Sequence, residues 1–273
     1  MSNFSRDVLF SRMVGLVTPA ELELLATRRV AVPGCGGTGF TYAECLARMG
    51  VGGINIADAD TFGPENMNRQ FGCTVHTIGQ KKSAVLQERL ESINPDIDVR
   101  TVDFIDENNI RAYLDDVDVV CDTLDFFVIK PRRLLYKVAR EKSIPVLICC
   151  PVAFGVTGHL FLPDAMTFEE YFGINDSQTE TEQLQRFGNG LTPAALYKAY
   201  TDAPSLDFAH RKVASLSASC LMATAWGSNL ALMLLLNQTP GFKPVPWCYQ
   251  FDIRAGLFEA VQKDNMADIG ANQ

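Results

Sequence analysis

The stretch Arg29-Val-Ala-Val-Pro-Gly-Cys-Gly-Gly-Thr-Gly39 decides the fold, and the runs Asp58-Ala-Asp60 and Asn66-Met-Asn-Arg-Gln70 extend its meaning. The apolar residues 30–32 read as a buried strand, and the glycines after them open a helix over Phe40–Met49. Gly34, Gly36 and Gly39 serve a tight turn, backbone approach to a phosphate and helix-on-strand packing. The N-terminus of such a helix points unpaired N–H groups at an anion. Asp58 follows a second apolar strand, Gly53–Ala57, where a carboxylate can hold ribose hydroxyls. By itself this is any nucleotide site of the Rossmann type. The Asn-x-x-Arg-Gln beyond it moves the reading from redox toward phosphate chemistry.

Outward from that stretch, apolar strands alternate with amphipathic helices. A capping box starts a short helix at Thr18-Pro19, with Glu21 as its third residue. Ile78–Ile93 reads as a helix stopped by Asn94-Pro95, Val99–Val102 as a strand and Glu107–Leu114 as a short helix. Val117–Cys121 is a buried strand, 128–142 a helix, and Ile144–Cys149 a continuous apolar strand. This rhythm implies an α/β fold, a doubly wound, mostly parallel sheet with helices on both faces. After Pro151 the rhythm changes: Val152–Leu162 suits a strand or hairpin, and Trp247–Ile253 and Leu257–Val261 suit closing strands. Residues 163–211 are polar and weakly periodic, a length that marks a lid, a binding segment or disorder. Phe168, Tyr171 and Phe172 either dock this excursion or cover a peptide substrate. The expected organisation over 1–273 is one domain: an arm and helix (1–28), a nucleotide-binding core (29–150) and the excursion (163–211).

Bulk properties narrow the function. A net charge of −8 disfavours a nucleic-acid surface, which needs a basic face. The eight cysteines contain no C-x-x-C pair, and no apolar leader core opens the chain, so reduced thiols in the cytoplasm are expected. Leu216–Leu236 is long and uncharged, yet its Ser217, Ser219, Thr224, Gly227, Ser228 and Asn229 favour a buried or subunit-facing helix over a membrane span. In the arm, Phe4, Phe10, Met13 and Leu16 have too few neighbours in sequence to bury themselves, and a partner subunit is expected to cover them.

The polar clusters carry the chemistry. The glycine loop, Asp58 and Asp60, the Asn66–Gln70 loop, Lys82, and Asp122 with Asp125 all map to strand C-termini, which open onto one edge of a parallel sheet. Glycine amides, Arg69 and Lys82 can neutralise a triphosphate, and Asp125 can hold magnesium together with phosphate oxygens. Asp60 reads equally as a turn residue, Asp122 as an acceptor for backbone amides, Lys81 as an exposed charge, and Cys149 and Cys150 as packing. His76, His159 and His210 have no ligand spacing.

Together the G-x-G-G-x-G, D-x-D, N-x-x-R-Q, G-x-x-K and strand-end D-x-x-D motifs resemble the ThiF/MoeB/HesA superfamily of ubiquitin-activating-like adenylyltransferases. The resemblance runs from Arg12 to about Pro151 and resumes in 216–236 and Tyr249-Gln-Phe-Asp252. It implies a homodimer that uses ATP and Mg2+ to convert a carboxylate, the C-terminus of a ubiquitin-like or sulfur-carrier protein or a peptide, into an acyl-adenylate with release of pyrophosphate. By position it assigns Gly34, Gly36, Gly37 and Gly39 to the nucleotide and Asp58 to the ribose, with Asp60 beside it. Asn66, Arg69, Gln70 and Lys82 fall to the phosphates and Asp125 to magnesium. The family's N-terminal arginine, which reaches into the partner's site, matches Arg12 better than Arg6. The chain departs from the family in three ways. It lacks the paired C-x-x-C zinc ligands, so no zinc is expected; it has no cysteine between Cys150 and Cys220 for thioester transfer; and 163–211 is longer than a simple crossover. Two other classes compete: an NAD or FAD oxidoreductase, separable by nicotinamide absorbance against pyrophosphate exchange, and the non-catalytic nucleotide-binding subunit of a heterodimeric activator, separable by turnover.

Overall fold

Strand β1 (Arg29–Pro33) is buried along its whole length, which its unbroken apolar run requires of a central strand covered on both faces. The computed structural model describes residues 5–201, 206–208 and 210–263. Around β1, strands β2 (Gly53–Ala57), β3 (Asp98–Val102), β4 (Val119–Cys121) and β5 (Val146–Val152) pair in parallel in the order β3-β2-β1-β4-β5. The sheet then continues antiparallel through β6 (Gly155–Phe161), leaving two further strands, β9 (Trp247–Asp252) and β10 (Leu257–Gln262), to reach eight. Between β6 and β9 in sequence, β7 (Leu206–Asp207) and β8 (Lys212–Val213) form a separate two-stranded hairpin.

Helices cover both faces. Val30 and Val32 point into one core with α2 (Pro19–Thr27), α3 (Gly37–Arg48), α4 (Lys82–Ile93) and α9 (Ser217–Leu235), while Ala31 and Val120 point into the other with α5 (Ile110–Tyr113), α6 (Ile129–Glu141), α7 (Phe168–Phe172) and α8 (Glu180–Leu191). The capping box at Thr18 and Glu21 forms as its sequence requires. Helix α4 begins four residues later than its apolar period suggests. Gly79 takes φ +82° and the backbone N–H of Lys82 bonds to Asp60 O, so 78–81 belong to the loop that ties the helix start to the end of β2.

The arm differs from expectation. After α1 (Arg6–Leu9), Phe10 is 4% exposed in the core of its own chain, beside Gly50 at the C-terminal end of α3. Leu16 is 91% exposed, and Phe4 lies outside the described residues. Phe10 therefore needs no partner subunit. Helix α9 is long and apolar enough to cross a membrane by length and composition, but Ala223, Gly227, Leu230 and Ala231 are buried against this chain while Leu221, Ala225 and Asn229 are exposed. Phe168, Tyr171 and Phe172 dock the excursion, packing their rings against Phe161, Phe187 and His159. Beyond α7 and α8 the excursion holds a short helical turn at Leu196–Ala199.

Candidate nucleotide site

Strand β1 ends in a loop that tolerates no other backbone. Gly34 has φ +103°, and a Cβ there would lie 2.4 Å from Thr123 O; one on Gly39 would lie 1.7 Å from Gly34 O. Thr123 fastens the loop by donating to Pro33 O at 2.8 Å and Gly34 O at 3.1 Å. Gly36 caps α3, whose first internal hydrogen bond runs from Phe40 N to Gly36 O, so the N–H groups of Gly37, Thr38 and Gly39 face outward at a positive helix end.

Asp58 is bound to this loop. One carboxylate oxygen accepts from Cys35 N at 2.7 Å and the other from Asp60 N at 2.8 Å. Burial raises its carboxyl above the usual range despite these two donors, and each oxygen keeps a lone pair for a hydroxyl. Asp60 is not merely a turn residue, since its largely exposed carboxylate meets Lys82 Nζ at 3.0 Å. Lys82 is 6% exposed, whereas neighbouring Lys81 points outward to Asp103. A buried ammonium held by one exposed carboxylate is free to exchange that partner for a phosphate at little desolvation cost.

The Asn66–Gln70 loop forms the opposite wall. Buried Asn66 accepts from Gly63 N at 3.0 Å and shapes the turn. It brings the backbone of Arg69 within 3.2 Å, and the Gln70 amide within 3.7 Å, of where side chains would start on Gly37 and Gly36. Arg69 has no acidic partner among the described residues; it donates only to Glu65 O and Asn68 Oδ1. Gln70 is buried and its Oε1 has no partner among the described residues, a polar group that a ligand can complete.

On the other flank, Asp122 and Asp125 divide their tasks. Asp122 is buried, accepts from Leu124 N, and pairs with Arg132 Nε at 2.8 Å. Arg132, also buried, donates to Leu124 O, Asp125 O and Phe126 O and stacks on Phe187. The pair is internal scaffolding that fixes the backbone carrying Asp125, whose exposed carboxylate accepts only from Phe127 N. Sequence reading missed Arg132. The Lys130-Pro-Arg-Arg133 run looks like a solvated face, but Arg132 falls three residues from Ile129 and from Leu135 on the apolar stripe of α6.

The excursion returns across this site. Arg211 donates to Phe127 O at 2.6 Å and Asn68 donates to Ser215 O at 3.3 Å, so 211–215 bridges the Asp125 flank to the Arg69 flank. Helix α9 then places Cys220 Sγ 3.0 Å from the Cβ position of Gly37. Burial pushes Cys149 and Cys150 up to about 12 and raises Cys220, which keeps these thiols protonated, the opposite of an activated nucleophile. A cavity of about 50 Å³ between Thr38, Asp122, Cys150 and Arg132 adjoins the glycine loop. A larger cavity, about 310 Å³, lies at the opposite edge, between Tyr136, Val146 and Phe161, apart from every residue named here.

Arg12 is exposed and makes no hydrogen bond or ion pair among the described residues, whereas Arg6 is held by Leu22 O and Gly50 O and lies over Phe10. Its neighbour Phe10 packs at the far end of α3 from the glycine loop, a helix of 12 residues and about 18 Å.

The sequence pattern of the ThiF family matches residues 10–267. The chain belongs to the ThiF family. It is 34% identical over 128 residues to the tRNA threonylcarbamoyladenosine dehydratase of Escherichia coli K12, covering 46% of this chain and 47% of that protein. It is 32% identical over 158 residues to the Sulfur carrier protein ThiS adenylyltransferase of Bacillus subtilis 168, covering 56% of this chain and 45% of the relative. The chain thus spans about half the length of the curated relatives it matches. Among solved structures, E. coli MccB with AMPCPP and MccA superposes with a TM-score of 0.68 at 17% identity, over 96% of this chain and 73% of that one. E. coli TcdA in complex with AMP gives 0.63 at 20% identity, over 85% and 95%. These likenesses establish the ThiF-type Rossmann-like fold for the present chain.

Proposed function

We propose that this ThiF-family chain is an ATP-dependent adenylyltransferase that activates the terminal carboxylate of a peptide or a small ubiquitin-like protein. The observation that carries the reading is the convergence, on one sheet edge, of the α3 N-terminus, buried Lys82, and, with no ion-pair partner among the described residues, the guanidinium of Arg69 and the carboxylate of Asp125. Relatives named as adenylyltransferases of ThiS and of molybdopterin synthase support it, as does the fold shared with MccB in its AMPCPP and MccA complex.

In this reading Asp58 accepts ribose hydroxyls, the glycine-loop amides and Gln70 line the phosphates, and Arg69 and Lys82 stabilise charge that develops as the carboxylate displaces pyrophosphate at the α-phosphorus. Asp125 has the exposed carboxylate that Mg2+ takes alongside phosphate oxygens, and the ion would screen the triphosphate. No group of three His, Cys, Asp or Glu able to hold a metal occurs among the described residues. The protein works as a homodimer in the cytoplasm: the exposed Leu221, Ala225 and Asn229 face of α9 meets its partner, and Arg12, exposed and without a partner among the described residues, reaches the other triphosphate.

Exchange of labelled pyrophosphate into ATP, driven by Mg2+ and a pool of peptides with free C-terminal carboxylates, tests the reaction; absence of exchange with nicotinamide turnover instead would replace it by oxidoreduction. Mixing Arg12→Ala with Asp125→Asn subunits tests the assembly. Each should be nearly inactive alone, and exchange should restore activity toward about a quarter of wild type, because half of randomly mixed dimers are hybrids with one intact site.

A further inference from the structure

The site edge continues beyond the nucleotide. Because β9 runs antiparallel to β6, with Gly155 opposite Asp252, the β9–β10 turn and the tip of the β5–β6 hairpin lie on the same edge as the glycine loop. Three separate parts of the chain meet there. The Arg254 guanidinium sits 4.5 Å from the ring centre of Tyr200 and 5.1 Å from that of Phe154, and the two rings pack edge to face at 5.7 Å.

The mount is rigid and the cation is unused. Tyr200 donates its hydroxyl to Asp252 Oδ2 at 2.6 Å and receives a bond from Phe154 N at 3.3 Å. The other oxygen of buried Asp252 accepts from Arg254 N and Ala255 N, each at 2.9 Å. Asp252 is thereby spent on the turn and makes no ion pair with the guanidinium. Arg254 is exposed, and its side chain has no hydrogen bond or ion pair among the described residues. In a chain of net charge −8, an arginine held on two rings yet given no carboxylate is available for one from outside.

We infer that Arg254, mounted on Tyr200 and Phe154, anchors an acidic side chain in the segment of substrate that precedes the activated carboxylate. The inference rests on the adenylation reading for the direction of that segment. From β1 to β9 the sheet takes four strand steps, about 19 Å at the usual spacing. An extended chain covers that distance in about six residues. The preferred substrate is therefore a peptide or protein tail with Asp or Glu about six residues before its terminal carboxylate. Fork-shaped guanidinium donors match that carboxylate better than an ammonium would.

The test uses random decapeptides with free C-termini, incubated with the full chain and a non-hydrolysable ATP analogue, with retained peptides sequenced. Wild type should enrich Asp and Glu about tenfold at one position five to seven residues from the end. Arg254→Ala should abolish the enrichment, and Arg254→Glu should invert it to Lys and Arg, which a misfolded variant cannot do. Retention of no peptides, no acidic preference, or a preference unchanged in Arg254→Ala overturns the anchor. The outcome is separable from the reaction: pyrophosphate exchange without acidic preference keeps adenylation and removes the anchor, and acidic preference without exchange does the reverse.

Discussion

The parallel half of the sheet and the antiparallel half share one edge but are built to different rules. In the parallel half, the groups around the glycine loop come from short motifs, each following the strand that carries it, because a phosphate must meet backbone amides within a few residues of a helix start. In the antiparallel half, Phe154, Tyr200 and Arg254 are far apart in sequence and meet only because a hairpin, an excursion and a terminal turn end at one place. The motifs of the proposed nucleotide site are thus written locally, while the surface beside them is written in tertiary structure. The first half should govern rate, and the second recognition and stability.

The largest effects are expected in the first half. Arg69→Ala and Lys82→Ala should each lower turnover by about 10²-fold or more while weakening ATP binding less, measured by pyrophosphate exchange and calorimetric titration. Asp125→Asn should also raise the magnesium requirement. Normal exchange in all three variants would remove the active-site assignment. Next comes the scaffold beneath Asp125: Asp122→Asn leaves Arg132 charged and unpaired in the interior, and should cost about 3–5 kcal/mol in urea unfolding.

A smaller, pH-dependent effect belongs to the second half. His159 is buried, and burial lowers its imidazole from 6.5 to about 3. The unfolded chain therefore binds a proton that the fold excludes. Stability from this group is complete above about pH 6.5 and falls as pH drops toward 3, at up to about 1.4 kcal/mol per pH unit. His159→Gln should flatten the stability profile between pH 6.5 and 5; an unchanged slope would assign the acid sensitivity to other groups. Smallest of all, Arg254→Ala should move unfolding stability by less than about 0.5 kcal/mol, since the side chain is exposed. A large loss would make Arg254 a structural residue and blur the contrast between the halves.

The same contrast explains what the sequence made legible. Gly34, Gly39, Asp58, Asn66, Arg69, Gln70 and Lys82 stand where their motifs imply, because strand ends and glycine turns are short-range features. The start of α4 is not legible because Ile78 continues an apolar period that Gly79 and the Lys82-to-Asp60 backbone bond override. Phe10 lacks neighbours in sequence because its partners at Gly50 and on α3 are distant along the chain. Arg132 and the Arg254 cluster were invisible for the same reason: a charge is recognised as buried or mounted only when its distant partners are known.

Formation of an acyl-adenylate is best tested by following an oxygen atom. Peptides whose terminal carboxylates carry oxygen-18 are incubated with the chain, ATP, Mg2+ and an external amine, and the nucleotide product is weighed. If the carboxylate attacks the α-phosphorus and the amine then attacks the acyl carbon, AMP leaves with the bridging oxygen and each AMP gains one label, a signal that Lys82→Ala should nearly abolish. Unlabelled AMP, or ADP in its place, would contradict carboxylate activation by adenylation.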